Sequence, residues 1–438
     1  MFMIKPGFTL MCLLLLLNHA AMASYTLVYT GNLNGELEPC GCTLEGDLGG
    51  IKRQVTMIDQ LRRQNPDLLF VSSGGLLIAE MPSDRIRSDY ILRGMKFLNY
   101  DVIGVQARDL AFGAHFLKRY KLPFILSNAY GKPTFAYQKT LHRQSQSFTF
   151  FQWSVLPPQT LLKDPHAETM SAQKRLAKKL ATAKNTGTIT VVTTNLRLAA
   201  AKKILPLKNI DILIIPSRQD KFAKPVQIKN TLLLQPGARG MRLGLLQFEV
   251  RKHAQRVRIH HWQQRIISLP KTIPDSPRTK TWYTAYNAAL KTDYEKQVAL
   301  RKQREQGKSP YAGAEKCRAC HAPEYQKWQQ TRHPHAYEDL ESVGKNFDPN
   351  CVACHSVGFN RPGGFLNAGL TPHLSGVQCE SCHGPAQAHV DSDGKTPTGN
   401  HQWKKKQICA QCHVGIHSPS FNLETYWPKI AHGQKTGK

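Results

Sequence analysis

The chain is poor in acidic residues and in long apolar runs. It contains 30 Asp and Glu residues against 59 Lys and Arg residues, which gives a formal net charge of +29. Such an excess is typical of proteins that bind nucleic acid, an anionic membrane surface or acidic protein partners, although it also fits an ordinary basic surface. Apart from one run near the N-terminus, no segment is apolar enough to span a bilayer. We therefore expect no transmembrane segment in the mature chain.

The N-terminal run predicts export. Lys5 precedes apolar residues from Phe8 to Leu17, and Ala21-Met22-Ala23 is a small-x-small cleavage pattern. These features are typical of a secretory signal peptide, here residues 1–23, with the mature chain beginning near Ser24. A membrane anchor is the alternative, but the run is too short for about 30 Å of hydrocarbon. Export to the periplasm or the cell surface makes nucleic acid an unlikely partner class and favours acidic proteins or anionic membranes.

Cysteine is scarce before residue 316 and frequent after it. Four C-x-x-C-H motifs occur in series, which is the attachment pattern of c-type haem: two thiols bind the porphyrin and the histidine is the proximal iron ligand. One match would also fit a zinc half-site or a redox disulfide, but four intact matches predict four covalently attached haems. The motif residues are Cys317, Cys320 and His321; Cys351, Cys354 and His355; Cys379, Cys382 and His383; and Cys409, Cys412 and His413.

Methionine is absent after Met241, so no haem in this region has a local methionine ligand. Bis-histidine ligation is therefore expected at most sites. Because methionine–histidine ligation raises the potential, the potentials should be comparatively low. Seven histidines outside the motifs are candidates for the distal positions: His333, His335, His373, His389, His401, His417 and His432.

The apolar pattern divides the chain into three parts. Residues 24–268 alternate short apolar runs, such as "YTLVYTG" and "GTITVVTT", with amphipathic stretches such as Ile51 to Arg63, which predicts an α/β domain. Residues 269–310 contain a charged stretch from Thr279 to Gln306, which predicts a long linker helix. Residues 311–438 have too little apolar patterning to form a core alone, so we expect a small, mainly helical, haem-packed domain.

The C-terminal motifs resemble the cytochrome c-554 family of tetrahaem electron carriers. The resemblance rests on "KCRACHAPEYQKWQQTRHPHAYEDL", "DPNCVACHSVGF", "VQCESCHGPAQAHV" and "SPSFNLETYWPKIAHG". It implies four closely packed haems, usually with one iron that lacks a sixth ligand. Carried over to this sequence, it favours His333 and His389 as distal ligands, then His432 and His417, with His335 as an alternative to His333.

The N-terminal part resembles the metallophosphoesterase domain of 5'-nucleotidases and thiosulfohydrolases. The stretch "LVYTGNLNGELEP" and the later "PFILSNA" and "QPGARGMRLG" carry the resemblance, which implies two mixed sheets flanked by helices. In that family two metal ions activate water. This chain lacks the expected residue at every position of the family's metal-site motifs, so we expect a degenerate domain without phosphoesterase activity. The residues at those positions are Asn32, Asn34, Gly75, Arg108, Asn195, Ser217 and Gln219.

Cys40 and Cys42 have no thiol partners outside the haem motifs other than each other. A C-x-C disulfide is strained and easily reduced, so a redox pair is one interpretation and an incidental loop is the other. The sequence as a whole favours electron transfer between a redox donor and acceptor, with the N-terminal domain as scaffold, docking surface or redox sensor. The alternatives are an oxidoreductase that acts on a small nitrogen or sulfur compound at an open iron and, less favoured, a phosphoesterase with appended haems.

Overall fold

The computed structural model describes residues 23–39, 47–129, 134–156, 165–216, 222–253, 256–305, 307–414, 418 and 420–432. The predicted signal segment up to residue 22 lies outside these ranges. So do the proposed thiol pair and several candidate site residues, namely Cys40, Cys42, Ser217, Gln219 and His417.

Two six-stranded mixed sheets form the N-terminal domain. Their orders are β12-β11-β1-β2-β3-β4 and β5-β6-β7-β8-β10-β9. The first sheet is parallel from β1 to β4 and antiparallel from β1 to β12, whereas the second is parallel in the middle and antiparallel at both edges. This arrangement confirms the predicted fold of the domain. The strands are β1 (Ser24–Thr30), β2 (Leu69–Ser72), β3 (Val102–Gly104), β4 (Phe124–Ile125), β5 (Gln138–Arg143), β6 (Gln146–Trp153), β7 (Ile189–Thr194), β8 (Ile212–Ile214), β9 (Val226–Ile228), β10 (Thr231–Leu234), β11 (Arg242–His253) and β12 (Arg256–Ser268).

The two sheets pack face to face because their central strands are apolar on both sides. Tyr25, Leu27 and Val71 of the first sheet meet Phe148 and Val191 of the second in one buried cluster. The outer face of each sheet packs against helices in a separate cluster. Strands buried on both faces explain the nearly continuous apolar runs in the sequence.

The helices of the N-terminal domain cover the outer faces of the sheets. In α1 the buried residues include Ile51, Val55, Ile58 and Leu61, which confirms the predicted amphipathic face. A short turn of 3₁₀-helix follows β3 at Ala107–Leu110. The helices of this part are α1 (Ile51–Gln64), α2 (Asp84–Leu98), α3 (Ala114–Lys118), α4 (Pro165–Asn185) and α5 (Leu198–Ile204).

The long helix α6 (Lys280–Arg304) belongs to two cores at once. Its first half contributes Trp282, Tyr286 and Leu290 to the cluster beneath the first sheet. Its second half contributes Tyr294 and Val298 to a cluster made by the C-terminal region. The predicted linker helix is thus confirmed, and it packs closely against both of its neighbours rather than crossing a gap.

A close crossing brings α6 onto α2. A Cβ atom placed on Gly94 would lie 2.7 Å from Cζ2 of Trp282, so a larger residue there would push the helices apart. Trp282 also donates its indole N–H to the carbonyl of Tyr90 at 3.0 Å. This crossing fixes the angle at which α6 leaves the N-terminal domain.

The C-terminal region is made of short helices joined by turns. Among the described residues, no helix anywhere in the chain has both the length and the apolar character needed to cross a membrane. The helices are α7 (Ala314–Arg318), α8 (Ala322–Gln329), α9 (Ala336–Ser342), α10 (Pro349–Val352), α11 (Cys379–His383), α12 (Gln387–Asp391), α13 (Lys405–Cys409) and α14 (Leu423–Ile430).

Candidate haem-attachment sites

Each C-x-x-C-H motif begins in or next to a short helix, which places its two thiols and its histidine on one turn. In the first and fourth motifs the backbone N–H of the histidine donates to the carbonyl of the first cysteine, at 2.9 Å for both His321 and His413. The third motif is itself helix α11. All eight motif cysteines are thiols rather than disulfides. This is the arrangement that thioether attachment requires, with the proximal histidine following directly.

Three motif histidines face a second imidazole. The ring centroids are 6.2 Å apart for His321 and His389 and 6.3 Å apart for His413 and His333. A third pair, His383 and His432, is 5.9 Å apart. Two metal–nitrogen bonds of about 2 Å on opposite sides of one ion, together with the two ring radii, give a centroid separation of about 6 Å. The three pairs therefore have the spacing of bis-imidazole ligation.

Hydrogen bonds orient several of these rings. His389 Nδ1 lies 2.7 Å from the carbonyl oxygen of Thr396, and His432 Nδ1 lies 2.8 Å from that of Ile430. His413 Nδ1 lies 3.0 Å from Oγ of Ser418. A donor hydrogen bond at Nδ1 leaves Nε2 as the unprotonated nitrogen that binds a metal.

Partial burial also keeps imidazoles neutral in the fourth motif. It lowers the pKa of His333, with a further contribution from nearby His413, and it lowers the pKa of His413 as well. Neutral imidazole is the form that binds a metal ion. Phe421 stacks on His413 with centroids 4.4 Å apart, which fixes the plane of the ring.

The second motif differs from the other three. His355 Nδ1 contacts the backbone oxygen of Ala336, so this ring is oriented in the same way. Among the described residues, however, no second imidazole is paired with His355. His335 instead forms a contact of 3.0 Å with Glu338 on the surface, which separates it from the paired His333. His417 lies outside the described residues, and neither His373 nor His401 is paired with a motif histidine.

Hydrogen bonds between thiols join the motifs in two pairs. The Cys317 and Cys379 thiols share a hydrogen bond, which raises the pKa of Cys317 and lowers that of Cys379. A hydrogen bond with Cys354 likewise raises the pKa of Cys412. The first motif thus adjoins the third, and the second adjoins the fourth.

The region that carries the motif thiols and imidazoles has few buried apolar side chains. The cluster shared with α6 includes Phe365 and Leu374, but beyond Leu374 the described residues contain one buried hydrophobic side chain, Ala386. Trp403 and Tyr426 are exposed by 43% and 39%. Four c-type haems fit this donor set and would supply the apolar surface that the side chains lack.

The positions that the resemblance aligned with metal ligands are occupied by polar side chains that bond to one another and to the backbone. The Gln106 amide donates to Oδ1 of Asn32 at 2.8 Å and to the carbonyl of Ser73 at 2.9 Å. A Cβ atom on Gly75 would lie 2.6 Å from Cγ of Asn32, so an aspartate does not fit there without rearrangement. Asp109 is fully buried and accepts the backbone N–H of Gly75 at 2.8 Å. This carboxylate holds the loop instead of facing a metal.

Two further residues at the predicted ligand positions also form hydrogen bonds within the protein. Arg108, which the resemblance aligned with a catalytic histidine, donates to the side-chain oxygen of Asn34. Asn195 accepts the N–H of Val155 at 2.7 Å. Across the described part of the chain, no cluster of three or more His, Cys, Asp or Glu side chains has the geometry to bind a metal ion.

Comparison with known proteins separates the two parts. Residues 316–384 match the family described as cytochrome c554 and c-prime. The C-terminal region is similar to cytochrome c554. The cytochrome c-554 of Nitrosomonas europaea is 32% identical over 137 residues, an alignment that covers 24% of this chain and 58% of that protein. The chain thus spans just over half of the length of this relative, and the family match contains the first three motifs.

Solved structures match the other part. A 5'-nucleotidase precursor from Thermus thermophilus is 20% identical with a TM-score of 0.50, over 61% of this chain and 59% of that one. The calcineurin-like phosphoesterase YfkN from Bacillus subtilis is 16% identical with a TM-score of 0.46, over 60% of this chain and 98% of that one. The likeness to the nucleotidase shows the fold of residues outside the cytochrome c554-like region.

The sequence did not indicate the contacts that join the two parts. Arg87 of α2 binds Asp348 of the C-terminal region at 3.1 Å, and Glu38 binds Lys345 at 2.8 Å. Each is one charged residue among many in a basic chain, and neither belongs to a motif. Only the packing of α6 against both parts brings these residues together.

Proposed function

We propose that this protein is an exported electron-transfer protein with four covalently attached c-type haems, one at each C-x-x-C-H motif. The observation that carries the proposal is the spacing of the three imidazole pairs at 5.9 to 6.3 Å. Under this proposal residues 1–23 are a signal peptide, 24–268 a degenerate phosphoesterase-like domain, 269–310 a helical linker and 311–438 a tetrahaem domain.

The chain's own residues attach and orient the cofactors. The motif thiols anchor each haem and the motif histidines are the proximal ligands, while His389, His333 and His432 are the distal ligands of the first, fourth and third motifs. When bound, a haem supplies one-electron exchange at low potential if both axial ligands are histidine. The contacts between the first and third motifs, and between the second and fourth, support electron exchange among neighbouring centres.

The net charge of the chain indicates the class of its partners. A formal net charge of +29 favours acidic redox proteins as electron donor and acceptor, or docking at an anionic membrane surface in the periplasm. Opposite charges raise the rate at which such partners meet, and salt screens the attraction. We therefore expect reduction by an acidic donor to slow as ionic strength rises.

The N-terminal domain is proposed to act as a scaffold or docking module that has lost hydrolysis. Cys40 and Cys42 remain a candidate redox pair within it. Glu38, two residues before Cys40, binds Lys345 of the C-terminal region. Thiol trapping at controlled potential tests the pair: its thiol state should follow the haem state, and a double Cys→Ser variant with unchanged electron transfer would favour an incidental loop.

Haem stoichiometry is the direct test of the proposed function. A pyridine haemochrome assay combined with the intact mass should give four covalent haems per chain. Replacing His389 should change the spin state of one haem, whereas replacing exposed His401 should change none. A count of two or fewer haems would contradict the proposal.

A second function rests on the second motif. No imidazole of the described residues is paired with His355, and an iron held there without a distal ligand would be open to a small nitrogen or sulfur compound. Nitrite or hydroxylamine should then shift the spectrum of one haem, and the shift should disappear in a His355→Ala variant. No spectral change with either compound would leave electron transfer as the sole function.

A further inference from the structure

The turn that leads into the second motif is held by the N-terminal domain. Asp348 donates its backbone N–H to the carbonyl of Lys345 at 3.0 Å, which closes the turn. At one end, Lys345 Nζ lies 2.8 Å from Oε2 of Glu38 and 2.7 Å from the side-chain oxygen of Asn287 in α6. Tyr283, also in α6, donates its hydroxyl to Glu38. Both α6 and the first loop of the domain therefore fix Lys345.

The other end of the turn meets an arginine that is largely shielded from solvent. Arg87 Nη2 lies 3.1 Å and 3.5 Å from the two carboxylate oxygens of Asp348, and Nε lies 3.4 Å from the hydroxyl of Tyr286. The two charged side chains are only 14% and 6% exposed. The amide of Asn350, in the orientation that satisfies both of its ends, accepts from the same guanidinium.

The charge on Arg87 is stable in this position. Burial by itself lowers the pKa of the guanidinium, but Tyr286, Asp348 and Asp84 outweigh burial and raise it. Removing one partner of a largely buried ion pair is strongly destabilising, because the remaining charge stays desolvated without a compensating charge. Loss of Arg87 would therefore leave an uncompensated carboxylate at Asp348.

Asp348 is also part of the second motif's own architecture. Its side chain accepts the backbone N–H of Asn350 at 3.0 Å and thereby caps helix α10. Its carbonyl accepts the N–H groups of Cys351 and Val352, both at 2.9 Å. Any movement of Asp348 is transmitted directly to the first thiol of the motif, only three residues away.

We propose that Arg87 is a positioning residue for the second haem, so that the phosphoesterase-like domain sets the properties of one redox centre out of four. This inference rests on the proposed function, because it requires a haem at Cys351 and Cys354. The domain acts through the ion pair between Arg87 and Asp348.

The charges predict the sign of the effect. A negative charge near an iron stabilises the more positive oxidised state, and a positive charge disfavours it. Arg87→Gln leaves Asp348 unneutralised and should lower the potential of the second haem. Asp348→Asn keeps an oxygen for the helix cap, leaves Arg87 positive and should raise it. Structural damage does not predict opposite shifts.

Spectroelectrochemical titration of the full-length holoprotein tests the proposal. Arg93→Gln is the matched control, because Arg93 lies in the same helix and forms an exposed pair with Asp89 at 2.7 Å. A Cys351→Ala and Cys354→Ala double variant identifies the second haem by the redox step that disappears. We expect Arg87→Gln and Asp348→Asn to move this step in opposite directions and Arg93→Gln to move none.

The outcomes are separable from those of the proposed function. Four haems in the unaltered protein with no shift in either variant, or with equal shifts of all four steps, would overturn the role of Arg87 while leaving electron transfer intact. A protein without haem would overturn the proposed function itself. If Arg87→Gln does not accumulate as holoprotein, Arg87→Lys and Asp348→Asn decide the question: Lys keeps the charge and should shift the step less than Asn does.

Discussion

The two sheets of the N-terminal domain enclose Phe148, Phe150 and many aliphatic side chains, whereas beyond Leu374 the described part of the C-terminal region buries only Ala386 among its hydrophobic residues. The first part derives its stability from side chains that pack on both faces of each sheet. The second has short helices that present thiols and imidazoles toward shared positions. From this difference we expect covalently attached haem to fill the place that an apolar core fills in the first part, which would explain why the second part has so little regular patterning.

Removing the cofactor should have the largest effect, and it should affect the two parts differently. When the full-length chain is produced without covalent haem attachment, we expect residues beyond Leu374 to become sensitive to protease while the sandwich stays protected, because only the sandwich has its own core. Limited proteolysis with mass spectrometry measures this. The holoprotein is the control, and equal protection of both parts in the apoprotein would contradict the cofactor-filled core.

A core substitution tests whether side-chain packing alone stabilises the sandwich. Phe150 is 1% exposed between the sheets. Phe150→Ala should lower the free energy of unfolding by about 3–5 kcal/mol, because it removes apolar contacts and leaves a cavity. Val155, which is 54% exposed, gives the control: Val155→Ala should change the free energy by less than about 0.5 kcal/mol. Denaturant unfolding followed by near-ultraviolet circular dichroism gives both values, and a changed Soret spectrum in the folded variant would argue against separate cores.

Alkaline pH provides a smaller effect that can be assigned to one buried tyrosine of the sandwich. Burial raises the pKa of Tyr29 to about 12, although its hydrogen bond from Gln264 opposes this. The folded state therefore keeps the phenol neutral at a pH where the unfolded chain ionises it, so its contribution is complete below about pH 10 and is lost as pH rises toward 12. Tyr29→Phe should flatten the fall in stability between these values. An identical slope in both proteins would contradict the assignment.

Divalent metal ions should have the smallest effect. With manganese, zinc or cobalt, the purified protein should hydrolyse nucleotide and aryl phosphates only at background rates, because Arg108 and the amides Asn32 and Asn34 replace metal ligands. Gly75→Asp should restore nothing, since its Cβ would meet Asn32 at 2.6 Å. Robust turnover that a chelator abolishes would show that another metal site exists.

Sequence alone predicted the parts of the fold in which one pattern dominates. The apolar runs at β1 and β7, the amphipathic stretch of α1 and the long helix α6 were all identified. The long hairpin of β11 and β12 was not, because its edge strand alternates apolar residues such as Val257 and Ile259 with exposed Arg258 and His260. A half-exposed antiparallel edge lacks the continuous run that reveals a central parallel strand.

At the site, motif residues were predictable and their partners less so. The pairing of His389 with His321 and of His333 with His413 could not be read from the sequence, because it depends on how distant turns fold. The resemblance nevertheless favoured three of the paired histidines, His333, His389 and His432. The ion pair of Arg87 with Asp348 spans 261 positions of the sequence, and no local pattern distinguishes these two residues from other charged ones.

The helix shared by the two cores limits where the chain can be divided. A fragment that starts at Tyr311 would lack Tyr294 and Val298, and so would expose the face of Phe365 and Leu374 that these residues cover. A fragment that ends before Lys280 would leave the first sheet without Trp282 and Tyr286. Helix α6 therefore completes the core of both parts, so each part can be isolated intact only if α6 is included. A recombinant cytochrome fragment should begin at the start of that helix.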